Sequence, residues 1–166
     1  MRKLTFLLAA ALAPLACYAQ EVALTTPVSG VVAEVPAKPG ERVRKGQVLV
    51  RLDATISRAR ADEAKAQEQG AAAEAAEAKR NLDRAEQLYR RTVSSTTELE
   101  AAQLAYARAQ SALGVARARL AIAQKQLDEA TLRAPFDGVV TKRAAEPGMV
   151  VAAQCAPPTL IVLERR

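Results

Sequence analysis

Histidine and tryptophan are missing from all 166 residues. Without histidine there is no imidazole for a Ser-His-Asp triad, an acid–base pair or a common zinc site. Cysteine occurs only at Cys17 and Cys155, too few for a disulfide framework. Aromatic residues are 3% of the chain, and beyond Tyr18 they are reduced to Tyr89, Tyr106 and Phe136. A large globular core draws much of its burial from such side chains, so thin helical packing is the better expectation. Residues 53–131 contain no proline and only two glycines, Gly70 and Gly114; no glycine-rich phosphate loop exists anywhere. Adjacent carboxylates such as Asp62-Glu63 and Asp128-Glu129 project from different sides of a helix and read as solvated charges, not a catalytic dyad. The chain is expected to be no enzyme and to need no cofactor.

What is present bounds the class. With 50% hydrophobic and 25% charged residues, the chain is no disordered polymer and fits one or two compact units. Residues 1–19 read as a secretory signal peptide. Arg2 and Lys3 form the basic start, residues 4–16 the apolar stretch, and Cys17-Tyr18-Ala19 a small-x-small cleavage site. The stretch is short for a bilayer span. Leu15-Ala16-Cys17 partly matches a lipoprotein processing site, but Pro14 stands where an aliphatic residue is usual. Cleavage after Ala19 is therefore the expectation, and a lipid anchor on Cys17 the alternative. After that cleavage Cys155 is the sole cysteine, read as a small buried hydrophobe. Loss of Arg2 and Lys3 takes the formal charge from +6 to +4, with cations and anions interleaved. That pattern predicts a solvated surface and no nucleic-acid partner. The location implied is the periplasm.

A short internal repeat organises the rest. Ser29-Gly30-Val31-Val32 is followed by Pro39-Gly40 and Val43; Asp137-Gly138-Val139-Val140 is followed at the same offsets by Pro147-Gly148 and Val151. Apolar runs close both copies, Val48-Leu49-Val50 and Leu160-Ile161-Val162-Leu163. β-branched segments bounded by glycine and proline predict short strands joined by turns. Gly30, Gly40, Gly46, Gly138 and Gly148 are expected at those turns, supplying positive φ. Neither half is large enough to bury a core, so residues 20–52 and 132–166 are expected to pack together as one small β-domain.

Between them, residues 53–131 carry two heptad seams. From Leu99 the positions are Ala102, Tyr106, Ala109, Leu113, Ala116, Leu120, Ala123, Leu127 and Ala130, alternating by three and four. The preceding seam is Ala54, Ser57, Ala61, Ala64, Glu68, Ala71, Ala75, Ala78, Leu82, Ala85 and Tyr89, interrupted only by Ser57 and Glu68. Arg90-Arg91 suits the C-terminal end of a helix dipole. Ser95-Thr96-Thr97-Glu98 has the form of a capping box opening the next helix. A short link between seams of similar length implies antiparallel neighbours, with a tip at about residues 90–96. At 1.5 Å per residue each arm reaches roughly 55 Å. The predicted fold class is α+β: a β-sandwich made of two half-motifs, interrupted by a long antiparallel coiled-coil hairpin.

These motifs resemble the periplasmic adaptor family, also called membrane fusion or HlyD-like proteins. Val28-Ser29-Gly30-Val31-Val32, then residues 40–49 and Leu52-Asp53, resemble the family's first half-lipoyl motif; Leu132-Arg133-Ala134-Pro135-Phe136-Asp137-Gly138-Val139-Val140 resembles the return motif. The resemblance implies a lipoyl-like barrel-sandwich hybrid and a subunit of a tripartite efflux or secretion system. Its partners would be a TolC-like outer-membrane channel, an inner-membrane transporter and further copies of itself in a ring. It also implies a docking tip: Arg84, Leu88 and Ser95 have the spacing found in adaptors of TolC-like channels, and Glu98-Leu99-Glu100 continues the pattern. Read without the family, Arg84 is a solvated helix charge, Leu88 a flanking apolar residue and Ser95 a cap. The hairpin replaces the turn that carries lysine in true lipoyl domains, so Lys45 and Lys142 are expected to stay unmodified. The family's β-barrel and membrane-proximal domains have no counterpart in residues 21–27 or after the second half-motif, so a minimal adaptor, one piece of a split adaptor or the product of a truncated gene is implied. Resistance-nodulation-division drug or metal efflux is favoured over type I secretion. A periplasmic coiled-coil spacer and a non-functional adaptor remnant are the competing readings.

Overall fold

The computed structural model describes residues 20–91, 95–153 and 157–165. The leader with Cys17, the tip residues Thr92, Val93 and Ser94, and Cys155 lie outside the described residues. Eight strands and two helices follow in order: β1 Glu21–Leu24, β2 Gly30–Glu34, β3 Arg42–Val43, β4 Val48–Leu52, α1 Thr55–Arg90, α2 Thr96–Glu129, β5 Thr131–Arg133, β6 Gly138–Arg143, β7 Val150–Val151 and β8 Ile161–Arg165. They form a barrel-sandwich base from which the helical hairpin leaves between β4 and β5.

The base is two four-stranded antiparallel sheets, ordered β1-β8-β6-β3 and β5-β4-β2-β7. The first four strands correspond in sequence to the last four, and each half lends two strands to the other's sheet, β1 and β3 beside β8 and β6, β5 and β7 beside β4 and β2. β3, from the first half, pairs with β6 (Val43 opposite Gly138), and β7, from the second, pairs with β2 (Val151 opposite Gly30). Backbone bonds repeat the exchange: Val32 N–H donates to Met149 O at 2.8 Å, and Val140 N–H to Glu41 O at 3.0 Å. The residue before each motif glycine latches the opposite half. Asp137 Oδ1 accepts from Lys45 N–H at 2.6 Å, and Ser29 Oγ accepts from Ala153 N–H at 2.9 Å. Leu24-x-x-Pro27 and Leu132-x-x-Pro135 extend the repeat upstream of both glycines.

Alternation along the strands fills one core. Val32, Val43, Leu49, Val50, Val140, Val151, Leu160, Ile161 and Leu163 are buried together. Because β3 and β7 complete the partner's sheet, the apolar face of either half is covered only when both are present.

The seams bury as their spacing predicts, with one exception. Ala61, Ala64, Ala75 and Leu82 of α1 and Leu113, Ala116 and Ala123 of α2 are buried, and the remaining seam positions within the helices are half-buried apart from Tyr89. Tyr89 is exposed, so the α1 seam ends at Ala85. The helices run antiparallel. Arg117 Nε meets Glu68 Oε1 at 3.4 Å, and the Lys79 ammonium stands 5.9 Å from the Tyr106 ring centroid; each step up α1 is matched by a step down α2. Helices of 36 and 34 residues reach about 50 Å.

Gly70 and Gly114 face open space inside these helices: a Cβ at either position would have nothing within 4 Å. Gly70→Ala and Gly114→Ala are each expected to raise stability by about 1 kcal/mol, through lower backbone entropy in the unfolded chain. Thermal melts followed by helix circular dichroism would measure it; a fall in midpoint would contradict the open surroundings.

Candidate functional site: the hairpin tip and its mount

The mount is short and rigid. Leu52 N–H donates to Ala130 O at 2.8 Å, so the hairpin leaves and re-enters the base at hydrogen-bonded neighbours. Ala54 is the N-cap residue of α1, and just before it Asp53 Oδ1 accepts from Thr55 N–H at 2.9 Å and Thr55 Oγ at 2.6 Å. The Thr55 side chain, then its amide, hold the Asp53 carboxyl below its ordinary range. That contribution is present above the normal carboxylate pKa and fades as pH falls through the depressed one. At the other end, buried Thr26 donates its hydroxyl to Glu129 O at 3.1 Å, giving a partner to a carbonyl at the end of α2. About two thirds of the way to the tip, hydrogen bonding to Asp83 raises the Lys79 pKa.

At the tip, Ser95 is the N-cap of α2. Its Oγ accepts from Glu98 N–H at 3.3 Å, while Glu98 Oε2 accepts from Ser95 N–H at 3.2 Å. The box joins two orphan donors to acceptors at the point where the chain reverses. Ser95→Ala should cost about 1 kcal/mol and speed amide exchange in the first turn of α2. Unchanged exchange there would show that the box does not hold the turn.

Arg84 and Leu88 lie one helical turn apart near the end of α1, both exposed, Leu88 at 39%. Ser95 stands across the reversal from them. Arg84 enters no ion pair among the described residues, whereas Arg90 Nη2 lies 3.8 Å from Glu86 Oε2. Tyr89, 42% exposed, joins Leu88 as an apolar pair flanked by Arg84, Arg90 and Arg91. Heptad spacing alone puts Tyr89 in the seam, and the structure corrects that placement. The signal that it belongs to the tip is its nearness to Arg90-Arg91, where the seam has no opposing turn left to cover it.

The five motif glycines divide into two kinds. Gly40, Gly46 and Gly148 have φ of 82°, 86° and 84° and make the turns. Gly30 and Gly138 begin strands β2 and β6 without positive φ, which corrects the expectation of a turn at each. Only Gly138 is held to glycine by close contact: a Cβ there would lie 2.4 Å from Glu164 O, whereas one at Gly30 would meet Leu52 at an ordinary 3.7 Å.

Among the described residues no group of three or more His, Cys, Asp or Glu side chains is placed to hold a metal ion, and no helix is long and apolar enough to cross a membrane.

Two interlocked half-motifs carrying a capped helical hairpin define a barrel-sandwich hybrid. The chain matches the family model described as "CzcB-like, barrel-sandwich hybrid domain" over residues 20–156. It belongs to that family, and the solved structures that share its fold include a membrane fusion protein and a periplasmic adaptor protein. Multidrug resistance protein MdtA of Cronobacter turicensis is 30% identical over 130 residues, 78% of this chain and 31% of MdtA. Nodulation protein NolF of Rhizobium meliloti is 28% identical over 142 residues, 86% of this chain and 39% of NolF. The structure of ZneB from Cupriavidus metallidurans matches with a TM-score of 0.61 at 25% identity, covering 87% of this chain and 60% of ZneB. The membrane fusion protein Spr0693 from Streptococcus pneumoniae R6 shares the fold, with a TM-score of 0.66 at 21% identity, covering 87% of this chain and 59% of its own. The chain thus spans less than two-fifths of the lengths of MdtA and NolF, 31% and 39%.

Proposed function

We propose that this chain acts as the periplasmic adaptor subunit of a tripartite efflux system. Residues 1–19 direct export and are removed after Ala19. Copies stand in a ring between an inner-membrane transporter, of the resistance-nodulation-division type, and a TolC-like outer-membrane channel. The name of the MdtA relative, a multidrug resistance protein, favours drug export as the setting. The observation that carries the reading is the exposed Leu88–Tyr89 pair among unburied arginines, held by a capped reversal about 50 Å from the base. Leu88 would bury apolar area against the ends of channel helices, and Arg84 would donate charge-assisted hydrogen bonds to their carbonyls or carboxylates. The work is docking, with no bond made or broken.

Crosslinking in cells tests this. A cysteine replaces Thr97, exposed in the first turn of α2, in a Cys155→Ala background that leaves the cap intact. The expected product joins the chain to an outer-membrane channel, identified by mass spectrometry. Leu88→Asp should lower its yield about tenfold or more, since an apolar anchor becomes a buried charge. An abundant mature protein that captures no channel would remove the central claim and favour a spacer.

A further inference from the structure

The two helices of the hairpin are not uniform along their length, and their weakest points fall at one height. Each helix has a single glycine, Gly70 in α1 and Gly114 in α2. The Glu68–Arg117 and Lys79–Tyr106 contacts fix the register of the helices. On that scale Gly70 stands level with Val115 and Gly114 with Ala71, so the glycines lie within about 1.5 Å of the same height. A helical glycine loses the most backbone entropy and leaves its peptide groups open to water. Both are exposed, and a Cβ on either would have nothing within 4 Å.

Packing is thin at the same level. Glu68 interrupts the α1 seam there, and its partner at 3.4 Å, Arg117 Nε, belongs to a side chain that is 65% exposed. Such a solvated pair adds little to stability and tolerates reorientation, unlike interlocked apolar side chains. An apolar cluster in the lower hairpin, Ala61, Ala64 and Ala123 with Leu120 and Leu127 against them, ends at Ala64, one turn below. Ala75, Leu82 and Leu113, buried on the tip side of the glycines, lie outside that cluster. A groove of about 480 Å³ opens beside Gly70, Ala71, Val115 and Ala116, leaving room for the helices to lean. Within one turn toward the tip, Ser111 Oγ donates to Ala107 O at 3.0 Å, the back-bond to residue i−4 that favours a bend.

We propose that this level is a joint: the hairpin is two packed units, and the tip unit leans on the base unit about Gly70 and Gly114. Gly70 lies about 22 Å along α1 from Thr55, with about 30 Å beyond it to Arg90. A lean of about 20° carries the tip through roughly 10 Å. The glycines absorb the change because their φ and ψ are the least restricted, and the exposed ion pair re-forms in either pose. Bending nearer the base is opposed by the apolar cluster, and at the mount by the Leu52–Ala130 and Thr26–Glu129 hydrogen bonds. The joint belongs to the hairpin itself and holds whether or not the tip meets a channel.

Double electron–electron resonance on the mature chain, with Cys155→Ala throughout, tests it. Spin labels on Lys65→Cys and Thr97→Cys span the joint, whereas labels on Lys38→Cys and Lys65→Cys do not; all three positions are exposed. The expected result is a broad 65–97 distance distribution and a narrow 38–65 one. Gly70→Ala with Gly114→Ala should narrow the first about twofold and leave the second unchanged. Both substitutions raise helix propensity, so loss of folding does not confuse the reading. Amide exchange gives a second measure. Residues 68–72 and 112–116 should exchange faster than the turns on either side, and slow about fivefold in the double alanine variant. Fraying from the tip alone would raise exchange steadily toward residue 90. That gradient, or a wild-type 65–97 distribution as narrow as the variant's, overturns the proposal. Channel capture by a chain with a narrow 65–97 distribution sinks the joint and keeps the adaptor reading; a broad distribution with no channel captured does the reverse.

Discussion

Gly138→Ala is expected to destabilise the base by about 3 kcal/mol, while Gly30→Ala, at the matching position of the other half, changes stability by less than about 1 kcal/mol. The two glycines occupy the same place in the repeat, so sequence alone would treat them alike. A Cβ at Gly138, however, meets Glu164 O at 2.4 Å and Glu164 C at 3.3 Å, both backbone atoms of β8. β8 is hydrogen-bonded to β1 on one side and β6 on the other, so it can retreat only by breaking a ladder. At Gly30 the neighbours are side-chain atoms of Leu52 at 3.7 Å, an ordinary contact. Total stability of a small domain is commonly about 5–15 kcal/mol, so such a loss is a large share of it. Calorimetry gives the free energies, and amide exchange in β6 and β8 locates the damage. Equal tolerance at both positions would mean that β6 and β8 do not approach so closely.

Leu163→Ala carries the other large effect, about 3–4 kcal/mol, with Val162→Ala on the same strand costing about 1 kcal/mol or less. Leu163 is wholly buried, among Val140, Ile161 and Leu160 in the base core, and its register partners are Val22 and Val140. Val162 faces the other way and is only half-buried. Truncating Leu163 leaves a cavity that three hydrogen-bonded strands cannot close. In a base with so few aromatics no larger neighbour is at hand to move in. Urea unfolding followed by exchange at β-strand amides would read this loss; equal costs at 162 and 163 would reverse the assignment of the inner face.

The division of the chain is legible from its residues. Val-Val after Gly, at 31–32 and 139–140, announces strands. The lack of proline over 53–131, together with Ala and Leu at three-four spacing, announces the hairpin. Ser95 and Glu98 fix where α2 begins because a capping box is local, needing only side chains three residues apart. Of the tip residues, Ser95 can be placed for the same reason. The surroundings of Arg84 and Leu88 depend on how far the opposing helix covers α1, and spacing misplaces Tyr89 in the seam on that account. Periodicity names a face but does not say where the partner surface stops.

By itself the sequence determined the elements, the two seams and the correspondence of the halves, because propensity, capping and hydrophobic period act over a few residues. Tertiary structure alone decided that β3 and β7 are exchanged between sheets, that Ser29 and Asp137 latch opposite halves, and that Gly138 but not Gly30 must lack a side chain. Those features arise between residues about a hundred positions apart, such as Lys45 and Asp137 (92 apart) or Ser29 and Ala153 (124 apart). No local rule relates such distant residues until the chain has closed on itself and fixed which backbone lies against which.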